Sequence, residues 1–297
     1  MCSLRVDQVV IEELEFLEPA SLQEATDLLA GYGDEAKAMA GGQTLIPMLW
    51  QRLLTPRYIV GLNGIQGLQD VEMDSQGNLL IGACATHRQV ETSPLVLQDW
   101  PILAETIGKV AAPQIRNLGT LAGDLCHSDY GADPPATLLV LDARARIVGP
   151  GQERWVPMDT FFVDLYTTAL GPDELLAQVQ LPPLLQGARC AYVKYCLRAM
   201  DPAIVGVAAV LVMEDGRCRQ ARIGINGASP VPIRATVAEA ALKGRPLDDD
   251  ALGDAARLAE EQAAPMSDSH ASADYRRKMV GVFVKRALRA AADRAQR

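Results

Sequence analysis

Ala40-Gly41-Gly42-Gln43-Thr44-Leu45-Ile46-Pro47 is the stretch from which this chain reads outward, and Thr120-Leu121-Ala122-Gly123-Asp124 repeats its chemistry about eighty positions later. Two adjacent glycines carry no Cβ, so successive backbone N–H groups can converge into a concave nest. A helix starting just beyond adds the positive end of its dipole. Such a turn suits an anion, with Thr44 supplying a hydroxyl donor and Gln43 an amide for sugar or phosphate. Either turn taken alone reads equally well as a tight strand-to-helix connection. A pair of them suits a ligand with two phosphates. Neither completes the GxxxxGK[ST] of a P-loop or the GxGxxG of a Rossmann unit, so the pyrophosphate of a dinucleotide, held some other way, is the expected ligand.

Local patterns on either side set the architecture. Residues 9–16 read as a strand broken by Pro19. Ser21 is a good N-cap for a helix whose Leu22, Ala25, Leu28 and Leu29 form one apolar stripe, ended by Gly31 and Gly33. Residues 36–39 form a short strand, and 45–53 are helical up to Pro56, giving strand, glycine turn, helix. Strands at 58–62 and 79–83 flank the turn residues Asp74 to Asn78, and Thr86 caps a helix. A helix over 102–110 and an irregular stretch at 111–114 lead to the second turn. Pro134-Pro135 opens a helix reaching 141, and strands follow at 145–148 and 175–181. Leu181-Pro182-Pro183-Leu184 marks a boundary. Beyond it come strands at 191–197, 204–213 and 219–225, a hairpin turn at Glu214-Asp215-Gly216, and helices at 236–242, 251–264 and 275–292. The class is α+β.

The 297 residues, 49% hydrophobic and 22% charged, suffice for two domains. A net charge of −9 argues against a nucleic-acid surface, which needs clustered Lys and Arg. The basic residues near the end, Arg276-Arg277-Lys278 through Arg289, fall at helical spacing on a solvated face or a docking face. No targeting signal opens the chain, and no apolar run approaches the roughly 20 residues of a membrane span. Six cysteines without a CxxC pair fit reduced thiols in a cytoplasm and support neither a zinc nor an iron–sulfur site.

Around the second turn the sequence runs Ile115-Arg116-Asn117-Leu118-Gly119-Thr120-Leu121-Ala122-Gly123-Asp124-Leu125-Cys126-His127-Ser128-Asp129-Tyr130-Gly131-Ala132-Asp133-Pro134-Pro135. Together with residues 40–47, Tyr192-Val193-Lys194 with Arg198, Asp201-Pro202-Ala203-Ile204-Val205-Gly206-Val207-Ala208, and Ala273-Asp274-Tyr275-Arg276-Arg277-Lys278, it resembles the FAD-binding medium subunit of molybdenum hydroxylases, the family of xanthine dehydrogenase and carbon monoxide dehydrogenase. The resemblance runs end to end in the same order. It implies a two-part FAD-binding domain of the PCMH type over 1–183, with subdomains of about 1–60 and 61–183, then a C-terminal α+β domain over 184–297 of the CO dehydrogenase flavoprotein type.

The resemblance also implies roles. Ala40, Gly41, Gly42, Gln43 and Thr44 with Thr120, Leu121, Ala122, Gly123 and Asp124 hold the pyrophosphate, and Met39, Leu45 and Ile46 beside the first turn also bind the cofactor. Asp133 bonds the FAD sugar, Val110 lies near the cofactor, Leu176 and Lys194 approach the flavin ring, and His127 contacts FAD. No residue is expected to be catalytic in its own right. Plainer readings stand beside these: Val110 and Leu176 as core side chains, Asp133 as a cap on the helix opened by Pro134, Lys194 on a solvent face, His127 in a loop. Two departures from the family's Thr-x-Gly-Gly-Asn are Ala122 and Asp124. The Asp124 carboxylate repels a pyrophosphate unless a backbone N–H or Arg116 compensates. No cysteine-bearing insertion for a further iron–sulfur cluster is present.

The expected function is electron transfer in a cytoplasmic complex. FAD on this chain receives electrons from a small [2Fe-2S] subunit, a large subunit carries the molybdenum cofactor, and the assembly is a dimer of heterotrimers. A stand-alone flavin oxidase or reductase, or an interaction protein that has lost FAD, are the alternatives.

Overall fold

The structure, a computed structural model, describes residues 14–294. Its first sheet is parallel, in the order β1 (Glu15–Leu17), β3 (Tyr58–Gly61), β2 (Ala36–Met39). Most of the strand expected over 9–16 lies outside the described residues. Ser21 caps α1 (Leu22–Tyr32) by accepting from the Glu24 N–H. Gly31 sits inside that helix, and Gly33 alone, at φ 54°, ends it. α2 (Leu45–Trp50) stops short of residue 53 because the chain turns at Arg52, whose φ is 56°.

The strands read at 58–62 and 79–83 belong to different sheets. β3 is the centre of the parallel sheet. The turn at Asp74 to Asn78 joins β5 (Leu79–Gly82) to β4 (Val71–Met73), an edge strand whose half-exposed residues show no apolar alternation. The second sheet is antiparallel in the order β4, β5, β10 (Leu175–Leu181), β6 (Arg144–Gly149), β7 (Gln152–Pro157).

Six short helices connect β5 to β6: α3 (His87–Thr92), α4 (Pro94–Asp99), α5 (Pro101–Ile107), α6 (Pro113–Arg116), α7 (Leu121–His127) and α8 (Pro134–Val140). Thr86 and Gln89 form a reciprocal capping box at the start of α3. α4 and α6 escape the apolar pattern because each is one or two turns long. Their prolines open a helix where the missing N–H is never used, rather than breaking one. α9 (Met158–Phe161) leads into a small hairpin of β8 (Phe162–Asp164) and β9 (Thr167–Thr168).

The third sheet is antiparallel, β11 (Ala188–Tyr195), β12 (Val205–Glu214), β13 (Arg217–Asn226), β14 (Ile233–Arg234), followed by α10 (Thr236–Leu242), α11 (Asp249–Gln262) and α12 (Ala273–Ala292). Asp215 and Gly216, at φ 48° and 75°, make the β12–β13 turn. β12 is covered on both faces. Ala208, Val210 and Val212 join the core of the preceding sheets with Ala188, Cys190 and Tyr192, while Val205, Val207, Ala209 and Leu211 pack under α10, α11 and α12. The unbroken apolar run of 204–213 is the trace of that two-sided burial.

Period-two alternation along β11 therefore places Lys194 on the same face as Tyr192. α8 lies against that face at Gly224, where a Cβ would collide with the Ala136 carbonyl oxygen. Burying α8 this deeply brings Asp133, just before it, onto Tyr192 and Lys194. The loop leading to α8 is tied down from the other side: Gly227 N–H donates to the Tyr130 carbonyl at 2.7 Å and Ala203 N–H to that of Gly131 at 2.9 Å. Beneath it the buried Arg276 donates to Ile204 O and to Asp268, both at 2.6 Å.

Candidate functional site

Between the two glycine turns, α7, the loop before α8 and β11 lies a cavity of about 570 Å³, within the usual range for a small-molecule or cofactor site. Of the residues expected there, Met39, Ala40, Gly41, Gly42, Gln43, Thr44, Leu45, Val110, Thr120, Ala122, Gly123, Asp124, His127, Asp133, Leu176 and Lys194 line it. Ile46 and Leu121 do not. Ile46 turns back over Gly42 and Leu121 is wholly buried beneath α7, because consecutive helical residues point about 100° apart.

The two turns are built against each other. Gly42 takes φ 69°, and a Cβ on Gly41 would sit 2.8 Å from the Gly119 Cα and still closer to the Leu118 carbonyl oxygen. The second segment is a helix start rather than an open loop: Thr120 accepts from the Gly123 N–H at 3.0 Å, and residues 122–124 form the first turn of α7. Among the described residues the backbone N–H groups of Gly41, Gly42, Gln43, Thr44 and Ala122 find no acceptor in the protein. Amides left unpaired in a cavity need an acceptor from elsewhere. They meet the requirement of a diphosphate.

At the opposite wall Asp133 and Lys194 form an ion pair of 2.7 Å, with side chains only 4% and 5% exposed. The plainer readings of both fail: Asp133 makes no capping bond to α8, and Lys194 is not on a solvent face. Tyr192 donates to the other Asp133 oxygen at 2.5 Å, and the Lys109 carbonyl accepts from Lys194 at 2.9 Å. Burial pushes the Asp133 carboxyl above the ordinary range against the pull of Lys194 and Tyr192. An ammonium has three donors, and two are used within the protein. The third suits an acceptor on the cavity's occupant. Val110 and Leu176 add apolar wall, and His127 packs against Tyr166 at 5.0 Å between ring centres.

Arg116 does not compensate Asp124. Its guanidinium bonds Glu91 and the carbonyls of Val110 and Ala111. The neighbour is His87, whose Nε2 lies 3.6 Å from the Asp124 carboxyl. No sequence motif marks His87. It reaches the cavity because Thr86 pairs with Thr120 and the His87 N–H donates to Gly119 O at 2.8 Å, a tertiary contact between segments 32 to 34 residues apart. Asp129 and Glu174 also line the cavity unannounced.

The sequence comparisons agree with this construction. The family described as "FAD binding domain in molybdopterin dehydrogenase" matches residues 12–184, and "CO dehydrogenase flavoprotein C-terminal domain" matches 191–291. The chain belongs to this family of FAD-binding molybdopterin dehydrogenase subunits. The carbon monoxide dehydrogenase medium chain of Afipia carboxidovorans is 36% identical over 95% of this chain and 98% of its own. Subunit alpha of the 6-hydroxypseudooxynicotine dehydrogenase complex of Paenarthrobacter nicotinovorans is 35% identical over 95% of each. The solved carbon monoxide dehydrogenase of Hydrogenophaga pseudoflava, lacking the Mo-pyranopterin moiety, superposes with a TM-score of 0.92 at 35% identity, over 95% of this chain and 98% of its own. Members of the family are thus oxidoreductase subunits, and most of the cavity lining falls within the FAD-binding match, with Lys194, Met200, Asp201 and Pro202 contributed by the C-terminal one.

Electrostatics within this family member's cavity yield a measurable consequence. Burial, reinforced by Asp133 and Asp129 and opposed by Lys194, pushes Asp124 up from 3.8 to about 7. Burial, with Arg116, pushes His87 down from 6.5 to about 4. Between about 4 and 7 the folded Asp124 keeps a proton that the unfolded chain has lost, so this group makes stability fall as pH rises. Between about 4 and 6.5 the unfolded chain holds a proton that folded His87 lacks, so this group makes stability rise. The slopes oppose one another. Asp124→Asn removes the first, and urea unfolding of the FAD-free chain should then show stability climbing with pH from 4.5 to 6.5 more steeply than wild type. Equal slopes would contradict the assignment.

Proposed function

We propose that this chain is the FAD-carrying electron-transfer subunit of a heteromeric molybdenum hydroxylase. The observation that carries the reading is the row of unpaired amides at Gly41, Gly42, Gln43, Thr44 and Ala122, set in one cavity with the Asp133–Lys194 pair. In this reading the two turns hold the pyrophosphate, Asp133 accepts from the sugar, Val110 and Leu176 bound the ring, and Lys194 donates its third hydrogen to it. FAD, when bound, supplies the redox chemistry. The protein positions it, shields it from water and sets its potential.

The chain accordingly divides into an FAD-binding domain over 1–183, with parts of about 1–60 and 61–183, and a C-terminal α+β domain over 184–297. Its partners are a large molybdenum-cofactor subunit and a small [2Fe-2S] subunit, assembled as a dimer of heterotrimers in the cytoplasm. Electrons arrive from the clusters and leave to an external acceptor. The relatives' designations as medium chains and as a subunit of a dehydrogenase complex support this assembly.

The test is direct. The purified full chain, with FAD added and excess removed, should show visible flavin absorption at one FAD per chain. Native purification from the source cell should recover a molybdenum-containing large chain with it. A chain that retains no flavin sinks the reading of the cavity, and one that carries flavin but always purifies alone sinks the reading of the complex.

A further inference from the structure

Charge inside the cavity does not balance for an anionic guest. Five carboxylates, Asp124, Asp129, Asp133, Glu174 and Asp201, line the same space that presents unpaired amides, and Lys194, the lysine in that lining, is already committed to Asp133 at 2.7 Å. Asp124 stands in the first turn of α7, immediately after Ala122 and Gly123, so a diphosphate accepting from the turn amides lies beside its carboxyl. From α3 it faces His87. That side chain is 3% exposed, and its Nδ1 has no hydrogen-bond partner among the described residues. Behind His87 stand Glu91 and Arg116, which bond one another at 3.2 Å and act on the imidazole in opposite senses, Arg116 lowering and Glu91 raising its pKa. From the α8 loop and β11 it faces Asp129, Asp133 and Lys194, and Cys126 and His127 lie on its own helix. Two negative phosphates beside an ionised Asp124 would repel it, and among the described residues no Lys or Arg forms an ion pair with that carboxyl.

We infer that the Asp124–His87 pair binds one proton when the diphosphate enters, so that FAD binding is coupled to proton uptake and Asp124 is a diphosphate-site residue that acts in its protonated form. The proton sits between the Asp124 carboxyl and His87 Nε2, closing the 3.6 Å gap to a hydrogen bond and making the pair electrically neutral. Nδ1 then carries the ring's own hydrogen. The position of Asp124 on the pH scale, near 7 before any phosphate arrives, makes the uptake incomplete below that pH and whole above it. Cys126, held up to about 12, contributes no charge in this range. This inference rests on the reading of the cavity as an FAD site.

The experiment is FAD titration of the full chain at pH 6 to 9, by calorimetry in two buffers of different ionisation enthalpy, neither of them phosphate. Wild type should take up close to one proton per FAD at pH 8, and its Kd should rise about tenfold per pH unit above 7. Asp124→Asn, which keeps the shape, should lose both effects and bind more tightly than wild type at pH 9. Equal heats in the two buffers, a flat affinity profile for wild type, or an unchanged slope in Asp124→Asn would each overturn the inference while leaving the FAD site intact. No FAD binding at any pH would overturn the site and the inference together.

Discussion

Gly41→Ala should cost the chain its FAD. The added Cβ would meet the Leu118 carbonyl oxygen and lie 2.8 Å from the Gly119 Cα, both backbone atoms with no side-chain freedom to yield. The clash falls where the first glycine turn rests on the segment leading into α7, so the two halves of the amide nest must move apart. Overpacking of a fixed contact costs about 1–3 kcal/mol or more. Since 1.4 kcal/mol is a factor of ten in affinity, a cost of that size falling on the bound state should lower FAD affinity by about five- to 150-fold. Gly253→Ala is the matched control. Gly253 lies within α11 with nothing near its missing Cβ, and alanine there should stabilise by about 0.5–1 kcal/mol. Flavin content and melting temperature of both variants decide the matter. Gly41→Ala retaining wild-type flavin would mean that the contact between the turns does not shape the site.

Lys194→Met is the second large effect, and it acts on both stability and redox. Removing the ammonium leaves Asp133 buried with only the Tyr192 hydroxyl, and breaking a buried ion pair from one side costs about 3–5 kcal/mol. Replacing both partners removes the orphan charge, so Lys194→Met with Asp133→Leu should be less destabilised than the sum of the single changes. In the FAD-loaded chain, loss of a fixed positive charge should shift the flavin potential negative, by about 30 mV for each tenfold change in the relative binding of the two redox states. Strict additivity would show that the pair is not coupled. An unchanged potential with full flavin content would remove Lys194 from the tuning of the cofactor.

Proton coupling links these two walls of the cavity. Lys194 pulls both Asp133 and Asp124 toward ionisation, so its removal should also raise the pH at which Asp124 gives up its proton. The pH profile of FAD binding in Lys194→Met should move upward, provided enough folded protein remains for titration.

Much of the site was legible in the linear sequence because its first-contact groups are backbone amides in short contiguous segments. Glycine pairs and small residues announce the two turns locally, whereas Val110, His127, Asp133, Leu176 and Lys194 came from the family resemblance; together 16 of the expected residues line the cavity. The two that do not, Ile46 and Leu121, fail for a local reason too: a motif names consecutive residues, while a helix turns each one to a different side. β11, β12 and β13 of the C-terminal sheet were equally readable, β12 as the unbroken apolar run that two-sided burial leaves, while the two-residue β14 was not. β4 was not, being three half-exposed residues paired only through backbone.

What the sequence determined alone is therefore the set of local devices: the nests, the caps, the hairpin turn at Asp215-Gly216 and the alternation that puts Tyr192 and Lys194 on one face. Only the tertiary structure decided which of these meet. It paired Lys194 with Asp133 across 61 positions, placed His87 beside Asp124, and sent Arg116 to Glu91 instead. These pairings follow from how closely α8 and the two glycine turns can approach their neighbours, which depends on atoms far apart in the chain. The ionisation of Asp124 belongs with them, because burial and surrounding charge are properties of the assembled cavity and not of any segment within it.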